Sequence, residues 1–312
     1  MIRKLASAFL LTLAACAGPG GELVSEREAA VKAPIADPEL EADVMAWRAE
    51  RKAALEKPEG WLTLVGLFWL KPGDATLGSD PGANHVFPTK APAKIGSVRF
   101  DNGTVTLTAE PGAGVTVEGE PVQTIELATD ADGPPTLVEV GSLRFFAIDR
   151  GGRVGLRLRD LESPALAAFR GLDYFPVDAR WRVEARIEKG AAGKTVKVPN
   201  VLGQVSEMVS PGTLVFEHAG RTLRLDPVIE DGDEQLFVIF GDTTNGKATY
   251  GGGRFLYADP PDADGRVILD FNRAYNPPCV FTPFATCPLP PPSNQLDVAV
   301  EAGEKSFAGA GH

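Results

Sequence analysis

Eight polar or charged side chains in the last quarter of the sequence could form one ligand-binding or catalytic site. Three of them flank Gly251, Gly252 and Gly253, where a ligand or another stretch of backbone can approach closely. A convergent group of Asp, Arg, Tyr and Asn suits polar ligand recognition or general acid-base chemistry. The structural alternative, which is favoured, is an ion pair and amide-capped turns that only hold the neighbouring loop. The candidate ligand-binding residues are Asp242, Tyr250, Arg254, Asp270, Asn272, Tyr275, Asn276 and Asn294.

The segment over residues 270–294 has the most unusual composition in the chain. It holds seven of the 26 prolines, which exclude both a helix and a central strand. Its four aromatic residues give this loop apolar surface to bury, which argues against disorder. The loop is therefore the leading candidate for a site, although no residue in the chain can be assigned a catalytic role.

Two cysteines, Cys279 and Cys287, lie inside this proline-rich loop. In an exported protein two nearby cysteines commonly oxidise, so a disulfide is predicted, with two buried thiols as the alternative. Neither cysteine has a second ligand at the short spacing of zinc sites, and we expect neither a metal site nor a cofactor.

A second cluster of charged residues lies on a predicted strand. Arg153, Arg157 and Arg159 alternate along it, so their side chains share one face. Such a face could bind an anion. The interpretation that we favour is a solvated strand face with salt bridges to Asp160.

The N-terminus has the order of a signal peptide over residues 1–15. Two basic residues precede an apolar run over residues 5–13 that is too short to span a bilayer. The sequence LAAC at 13–16 resembles the lipobox of bacterial lipoproteins, in which cleavage precedes the cysteine. The resemblance implies acyl chains on Cys16 that hold the protein at a membrane surface. The alternative is a secretory peptide cleaved after an Ala-x-Ala-like site.

The formal net charge and the residue after the lipobox limit the possible partners and the compartment of the protein. The formal net charge of -11 lacks the basic footprint of a nucleic-acid-binding protein. Negative charge also repels anionic lipid headgroups, so membrane association should depend on the anchor at Cys16. The other partner should be an unknown small molecule or envelope protein. Ala17, rather than Asp, follows the cysteine and favours the outer over the inner membrane, with the protein facing the periplasm.

The remaining sequence predicts an all-β protein with one N-terminal helix. Asp37 and Pro38 begin a helix that should run over 38–57, and Ser163 caps a short helix over 164–170. Nearly everything else consists of short strands separated by hairpin turns, as in a β-sandwich or barrel. The predicted divisions are a signal peptide (1–15), a tether (16–36), a helix with a β-sandwich (37–170) and a C-terminal β-domain (171–312). One continuous sandwich or barrel is the alternative.

The strand pattern between residues 75 and 160 resembles a forkhead-associated (FHA) β-sandwich. The resemblance rests on TLGSD at 76–80, VTVEGE at 115–120 and LVEVG at 137–141. Ser79 occupies the place of the phosphothreonine-reading arginine in that pattern. The resemblance therefore implies the sandwich and not phosphopeptide binding.

Several longer motifs closely resemble domain-of-unknown-function family 1684 (DUF 1684). They are FGDTT at 240–244, TYGGGRF at 249–255, NPPC at 276–279 and CPLPP at 287–291, with GWLTL at 60–64 and RLRD at 157–160. The resemblance implies a bacterial protein, often a lipoprotein, of unestablished activity.

Together these patterns predict a lipid-anchored envelope protein that binds a small polar ligand or a partner. The expected site lies between the proline-rich loop and the hairpin from Asp242 to Arg254. A hydrolase with Asp242 or Asp270 as its acid or base is the first alternative, and a purely structural envelope role is the second.

Overall fold

The computed structural model of the protein describes residues 33–131, 133–191, 193–230 and 232–307. It confirms a mostly β architecture with several sheets and one long N-terminal helix. The predicted signal peptide, the lipidation site Cys16 and most of the tether lie outside the described residues.

Helix α1 spans Pro38–Glu56 and begins as the sequence predicts. The Asp37 carboxylate accepts hydrogen bonds from the backbone N–H groups of Glu39 and Leu40, both at 3.1 Å. Helix α2, Pro164–Ala168, is capped by the Ser163 hydroxyl, which accepts from the Leu166 N–H at 3.0 Å. This second helix ends before the predicted residue 170 because Phe169 becomes extended and is buried.

The first β part is a sandwich of two sheets around one hydrophobic core. The six-stranded sheet has the order β1-β11-β10-β9-β6-β7, and the five-stranded sheet has the order β3-β2-β4-β5-β8. Every pairing is antiparallel except that of β2 with β3. The strands are β1 Leu64–Trp69, β2 Gly73–Gly78, β3 His85–Val86, β4 Gly96–Asp101, β5 Thr104–Ala109, β6 Thr116–Val117, β7 Glu120–Pro121, β8 Thr124–Glu126, β9 Val138–Val140, β10 Leu143–Arg150 and β11 Arg153–Asp160.

Two predicted hairpin turns join neighbouring strands of this sandwich. Asn102 and Gly103 have φ values of 46° and 87° between β4 and β5. Glu118 and Gly119 have φ values of 52° and 82° between β6 and β7. Positive φ at both central residues is the type I′ geometry, whose twist matches that of the flanking strands.

The C-terminal β part is built from a four-stranded sheet and two hairpins. The sheet has the order β16-β15-β12-β19, and the hairpins pair β13 with β14 and β17 with β18. Its core contains the aromatic side chains of Trp181, Phe240 and Phe271. The strands are β12 Arg182–Lys189, β13 Thr195–Pro199, β14 Val205–Val209, β15 Gly212–His218, β16 Arg221–Leu225, β17 Leu236–Phe240, β18 Arg254–Ala258 and β19 Arg266–Asp270.

Helix α1 makes its long-range polar contacts with the C-terminal part of the chain. Arg51 forms an ion pair with Glu304 at 3.0 Å, and its Nη2 donates to the carbonyl of Asn276 at 3.0 Å. Arg48 donates to the carbonyl of Phe175 at 3.0 Å. Contacts of the helix thus connect residues on either side of the predicted domain boundary near residue 170. The division into domains stays a prediction.

We expect Leu55→Ala to lower the free energy of unfolding by roughly 2 to 5 kcal/mol, because Leu55 is 1% exposed beneath the end of α1. The control is Met45→Ala on the same helix, where the side chain is 53% exposed and the change should be about 0.5 kcal/mol or less. Urea unfolding followed by tryptophan fluorescence measures both. Equal small losses would contradict the docking of the helix.

Candidate functional site

Asp242 and Arg254 form a fully buried ion pair in the C-terminal core. The carboxylate and guanidinium groups are 2.8 Å apart, and both side chains are 0% exposed. The second carboxylate oxygen of Asp242 accepts from the Thr244 N–H at 2.8 Å, and Arg254 donates to the carbonyl of Val300 at 2.8 Å. The pair therefore ties the hairpin to the C-terminal segment.

The close backbone approach predicted at the glycines is made by the chain itself. Gly253 has a φ of 87°, and a Cβ atom built there would lie 2.4 Å from Pro290 Cγ and 2.6 Å from the carbonyl oxygen of Phe240. A glycine is thus required for the proline-rich loop to pack on the hairpin.

Asp270 and Asn272 fix the start of the proline-rich loop. The Asp270 carboxylate accepts from the Asn272 N–H at 3.1 Å and pairs with Arg182 at 3.4 Å. The Asn272 side-chain oxygen accepts from the Asp178 N–H at 2.9 Å, and its side-chain nitrogen donates to the Asp178 carbonyl at 3.0 Å.

Asn276 and Asn294 hold the middle and the end of the same loop. The Asn276 N–H donates to the Glu304 carboxylate at 2.7 Å, and its amide donates to the carbonyl of Lys305 at 2.7 Å. The Asn294 amide donates to the carbonyls of Asp226 and Ile239, both at 2.9 Å. These contacts fit the structural alternative proposed for the eight candidate residues.

The two remaining candidates are tyrosines, and they differ in position. Tyr250 is partly buried against two apolar clusters, one of which includes both loop cysteines. Tyr275 lines a cavity of about 630 Å³. Of the eight candidates, Tyr275 alone belongs to the lining of this cavity.

Cys279 and Cys287 lie side by side beneath the cavity wall. The Cys279 N–H donates to Cys287 Sγ at 3.0 Å, and the two thiols are hydrogen-bonded. This contact lowers the pKa of Cys279, whereas contact with Cys279 and burial raise that of Cys287. Both cysteines are buried thiols in this structure, and the disulfide stays a prediction.

The cavity lies where α1, the first sheet and the C-terminal part meet. One wall is a row of aromatic rings: Phe237 stacks on Tyr257 with centroids 4.8 Å apart, and Tyr257 stacks on Tyr275 at 6.2 Å. Trp61 contributes from a 3₁₀ turn, Trp61–Thr63, that packs against the end of α1. Such a wall suits a flat apolar group. The aromatic lining comprises Trp47, Trp61, Phe237, Phe255, Tyr257 and Tyr275.

Gly60 permits the close packing of the Trp61 turn on the helix. A Cβ atom at Gly60 would lie 2.2 Å from the carbonyl oxygen of Leu55. The absence of a side chain lets the backbone of α1 and the turn touch, which holds the Trp61 ring at the cavity.

Arg157 brings a positive charge to this apolar site. It lies on β11, paired in register with Leu67 on β1 and Phe146 on β10, and is 5% exposed. Its Nε is buried without a hydrogen-bond partner, and no ion pair among the described residues includes its guanidinium. Burial, and then the nearby charge of Arg150, lower the pKa of Arg157 to about 10.

The neighbouring arginines have different partners. Arg150 pairs with Asp130 at 2.7 Å. Arg159 donates to the Gly60 carbonyl at 2.6 Å and to the Thr63 hydroxyl at 3.0 Å. The Trp61 ring lies 5.5 Å from the guanidinium of Arg157 and 5.8 Å from that of Arg159, so cation-π attraction offsets part of their burial.

The expected salt bridges from these arginines to Asp160 are wrong. Asp160 accepts instead from Lys90 at 3.1 Å and from the Ser142 hydroxyl at 2.8 Å. Successive side chains on a strand point to opposite faces, so Asp160 faces away from Arg157 and Arg159. The expected solvated face is also wrong, because both of these arginines are buried and only Arg153 is exposed.

Hydrogen-bonding groups accompany the aromatic wall. The Tyr257 hydroxyl donates to the carboxylate of Glu230. Burial raises the pKa values of Tyr257 and Tyr275, so both phenols are neutral at physiological pH, and the two side chains are hydrogen-bonded to each other. The cavity can therefore bind an anion at Arg157, stack a flat group on the wall and hydrogen-bond a polar substituent.

Sequence reasoning missed most of this site. The aromatic wall comes from segments that are far apart in sequence, and no local motif connects them. The arginine alternation on β11 was the available signal, but burial of that face depends on the Trp61 turn and the proline-rich loop.

No group of three or more His, Cys, Asp or Glu side chains in residues 33–307, apart from 132, 192 and 231, is placed to bind a metal ion. Within those ranges, none of the helices is long and apolar enough to cross a membrane.

The fold and the cavity define a β-rich protein with an arginine at an aromatic-walled site. The model of the family described as "Protein of unknown function (DUF1684)" matches residues 167–305. Residues 167–305 are thus a DUF1684 domain. The match includes the aromatic wall and the proline-rich loop, while Arg157 and Trp61 lie before it.

Three solved structures are similar to parts of the chain. The solution structure of an uncharacterized protein from gene locus rrnAC0354 of Haloarcula marismortui is 35% identical, covers 45% of this chain and 78% of its own, and has a TM-score of 0.38. The Rv0020c_FHA structure is 19% identical, covers 31% of this chain and 92% of its own, and has a TM-score of 0.21. An FHA structure from work on phosphothreonine-dependent FHA domain interactions is 21% identical, covers 31% and 96%, and also has a TM-score of 0.21. A search of curated proteins found no match.

We expect Arg254→Met to lower the free energy of unfolding by roughly 3 to 5 kcal/mol, because it leaves the Asp242 carboxylate buried and unpaired. The control is Arg266→Met, which breaks an exposed pair with Asp262 and should cost about 1 kcal/mol or less. Chemical denaturation measures both. A small loss for Arg254→Met would mean that the pair is not structural and would restore these residues as ligand-binding candidates.

Proposed function

We propose that this protein is a lipid-anchored cell-envelope protein that binds a small anionic molecule with a flat apolar body. The binding site is the cavity at Arg157. The observation that carries this proposal is the buried Arg157 guanidinium, which borders the cavity without a hydrogen bond or ion pair to the described residues.

The energetics of burial support an external anion. A buried charge without a counterion costs several kcal/mol, and proteins normally pair such groups. Arg157 has no ion-pair partner among the described residues. The Asp130 carboxylate attracts it from a greater distance and is itself paired with Arg150. A carboxylate or phosphate on a ligand would supply charge-assisted hydrogen bonds to the Arg157 guanidinium.

The walls define the rest of the ligand. Stacked rings favour a flat or apolar group in van der Waals contact. The Tyr257 hydroxyl donates its hydrogen bond to Glu230, so its oxygen could accept a hydrogen bond from a polar substituent of the ligand. A site with an apolar lining and few polar groups is typical of small-molecule binding.

The positions of the carboxylates favour binding over hydrolysis. Asp242 and Asp270, the acid-base candidates, are engaged in ion pairs and backbone hydrogen bonds, and neither lines the cavity. A purely structural envelope role would not require a buried arginine at this position that has no ion pair with the described residues.

We expect Arg157→Met to weaken binding of phenyl phosphate at least about tenfold, because a charge-assisted hydrogen bond is lost. The same variant without ligand should melt at a higher temperature, since an uncompensated buried charge is replaced by an apolar side chain. Titration calorimetry and thermal melting measure the two effects. Arg153→Met is the matched control, because Arg153 lies on the same strand but is exposed and stacks on Trp69. An unchanged affinity of Arg157→Met for phenyl phosphate would contradict the proposal.

The affinity for phenyl phosphate should also depend on pH. The folded-state pKa of Arg157 is lowered to about 10, so its charge is present at lower pH and is lost as the pH rises through that value. Affinity should be level between about pH 7 and about pH 9 and should then fall. Calorimetric titrations across this range, with circular dichroism to confirm folding, test this. A level affinity to about pH 11 would contradict the lowered pKa of Arg157, because an arginine with its ordinary pKa stays charged throughout this range.

Anchoring rests on the lipobox-like sequence at 13–16. In cells fed a clickable fatty acid, we expect the wild-type chain to be labelled and found with membranes, whereas Cys16→Ser should be unlabelled and soluble in the periplasm. Cys279→Ser is the control, because a cysteine buried in the fold should not change labelling. Absence of acyl label from the wild type would exclude the anchor.

A further inference from the structure

A second cavity adjoins the first. It has a volume of about 570 Å³ and is lined in part by the apolar side chains of Pro135, Leu137, Phe146 and Leu161. Trp61 and Arg157 line both cavities. Arg157 therefore stands where the two cavities meet.

An ion pair also joins the linings of the two cavities, that of Arg150 with Asp130 at 2.7 Å. Arg150 lines the first cavity and Asp130 lines the second. Their contact satisfies the Asp130 carboxylate: burial raises its pKa, but hydrogen bonding and attraction to Arg150 outweigh this and lower the pKa overall. Asp130 is thus already engaged.

Arginines and carboxylates line the second cavity in equal number, three of each. Arg144 pairs with Glu139 at 3.1 Å. Arg159 donates only to a carbonyl and a hydroxyl oxygen in the described part of the chain, and Glu59, which attracts it, is exposed. Two guanidinium groups therefore border the second cavity without a carboxylate in contact.

We propose that the two cavities bind one ligand, a phosphodiester whose phosphate lies at Arg157 and whose two substituents lie one in each cavity. This inference rests on the proposed function at Arg157 and adds the class of the ligand. A carboxylate or a phosphate monoester is a terminal group and could extend into one cavity only. A phosphodiester is an internal anion with a substituent on each side. Its oxygens match the planar fork of a guanidinium.

A comparison of diphenyl phosphate with phenyl phosphate tests this inference on the mature protein. Near pH 8 the monoester carries more negative charge than the diester, so attraction to Arg157 alone favours the monoester. We expect the reverse, with diphenyl phosphate binding at least about tenfold more tightly because its second ring is buried in the second cavity. Titration calorimetry measures both affinities.

The variant for the second cavity is the uncharged Leu137→Gln, at a side chain that is 42% exposed. It should reduce the preference for the diester and leave the affinity for phenyl phosphate unchanged. The matched control is Val86→Gln, at an exposed position outside both cavities, which should change neither affinity. Circular dichroism confirms that each variant is folded.

The outcomes separate this inference from the proposed function. If phenyl phosphate binding depends on Arg157 but the diester binds no better, the two-cavity ligand is wrong and the anion site stands. An equal loss of both esters in Leu137→Gln also overturns the inference, because it places the monoester in the second cavity. If Arg157→Met changes neither affinity, both proposals fail.

Discussion

The buried guanidinium of Arg157 is the constraint around which the candidate site is organised. Strand β11 lies between β1 and β10, so the register of the sheet fixes where this charge enters the interior. Trp61 lies against the guanidinium and against that of Arg159, and cation-π attraction offsets only part of the desolvation. In the described part of the chain, no carboxylate forms an ion pair with Arg157. Stability alone would favour an apolar residue at this position, so the charge is best explained by an anion from outside the protein.

The proline-rich loop has a structural role, whereas its composition suggested a ligand-binding site. Its polar residues bond the protein's own backbone, and the Arg254 ion pair beneath it is fully buried. Glu304 joins the loop to helix α1, because its carboxylate accepts from the Asn276 N–H and from Arg51. The result is a fixed wall that supplies Tyr275 and Cys287 to the cavity. Preorganisation of this kind lowers the entropy that is lost when a ligand binds.

Local features of the fold could be predicted from the sequence, and the site could not. The Asp37 cap and the Asn102 turn depend on neighbouring residues, so their geometry follows from residue type. The cavity is assembled from a helix, a strand and a loop that are far apart in the chain. Whether an arginine on an alternating strand faces water or the interior depends on what covers that face, and Trp61 and the loop cover Arg157. The sequence does not distinguish a buried polar group that holds a loop from one that binds a ligand. Asp242 was a ligand-binding candidate in the sequence, and in the structure it pairs with Arg254.

An anion bound at Arg157 would be visible by anomalous scattering. Crystals grown without polyvalent anions and then soaked in selenate would locate a bound anion by its anomalous signal. We expect a selenium peak with oxygens within roughly 2.7 to 3.2 Å of the Arg157 guanidinium, between the two cavities. A crystal structure in which the Arg157 Nε donates to a carboxylate of the protein, with no anomalous peak beside it, would rule out the anion site.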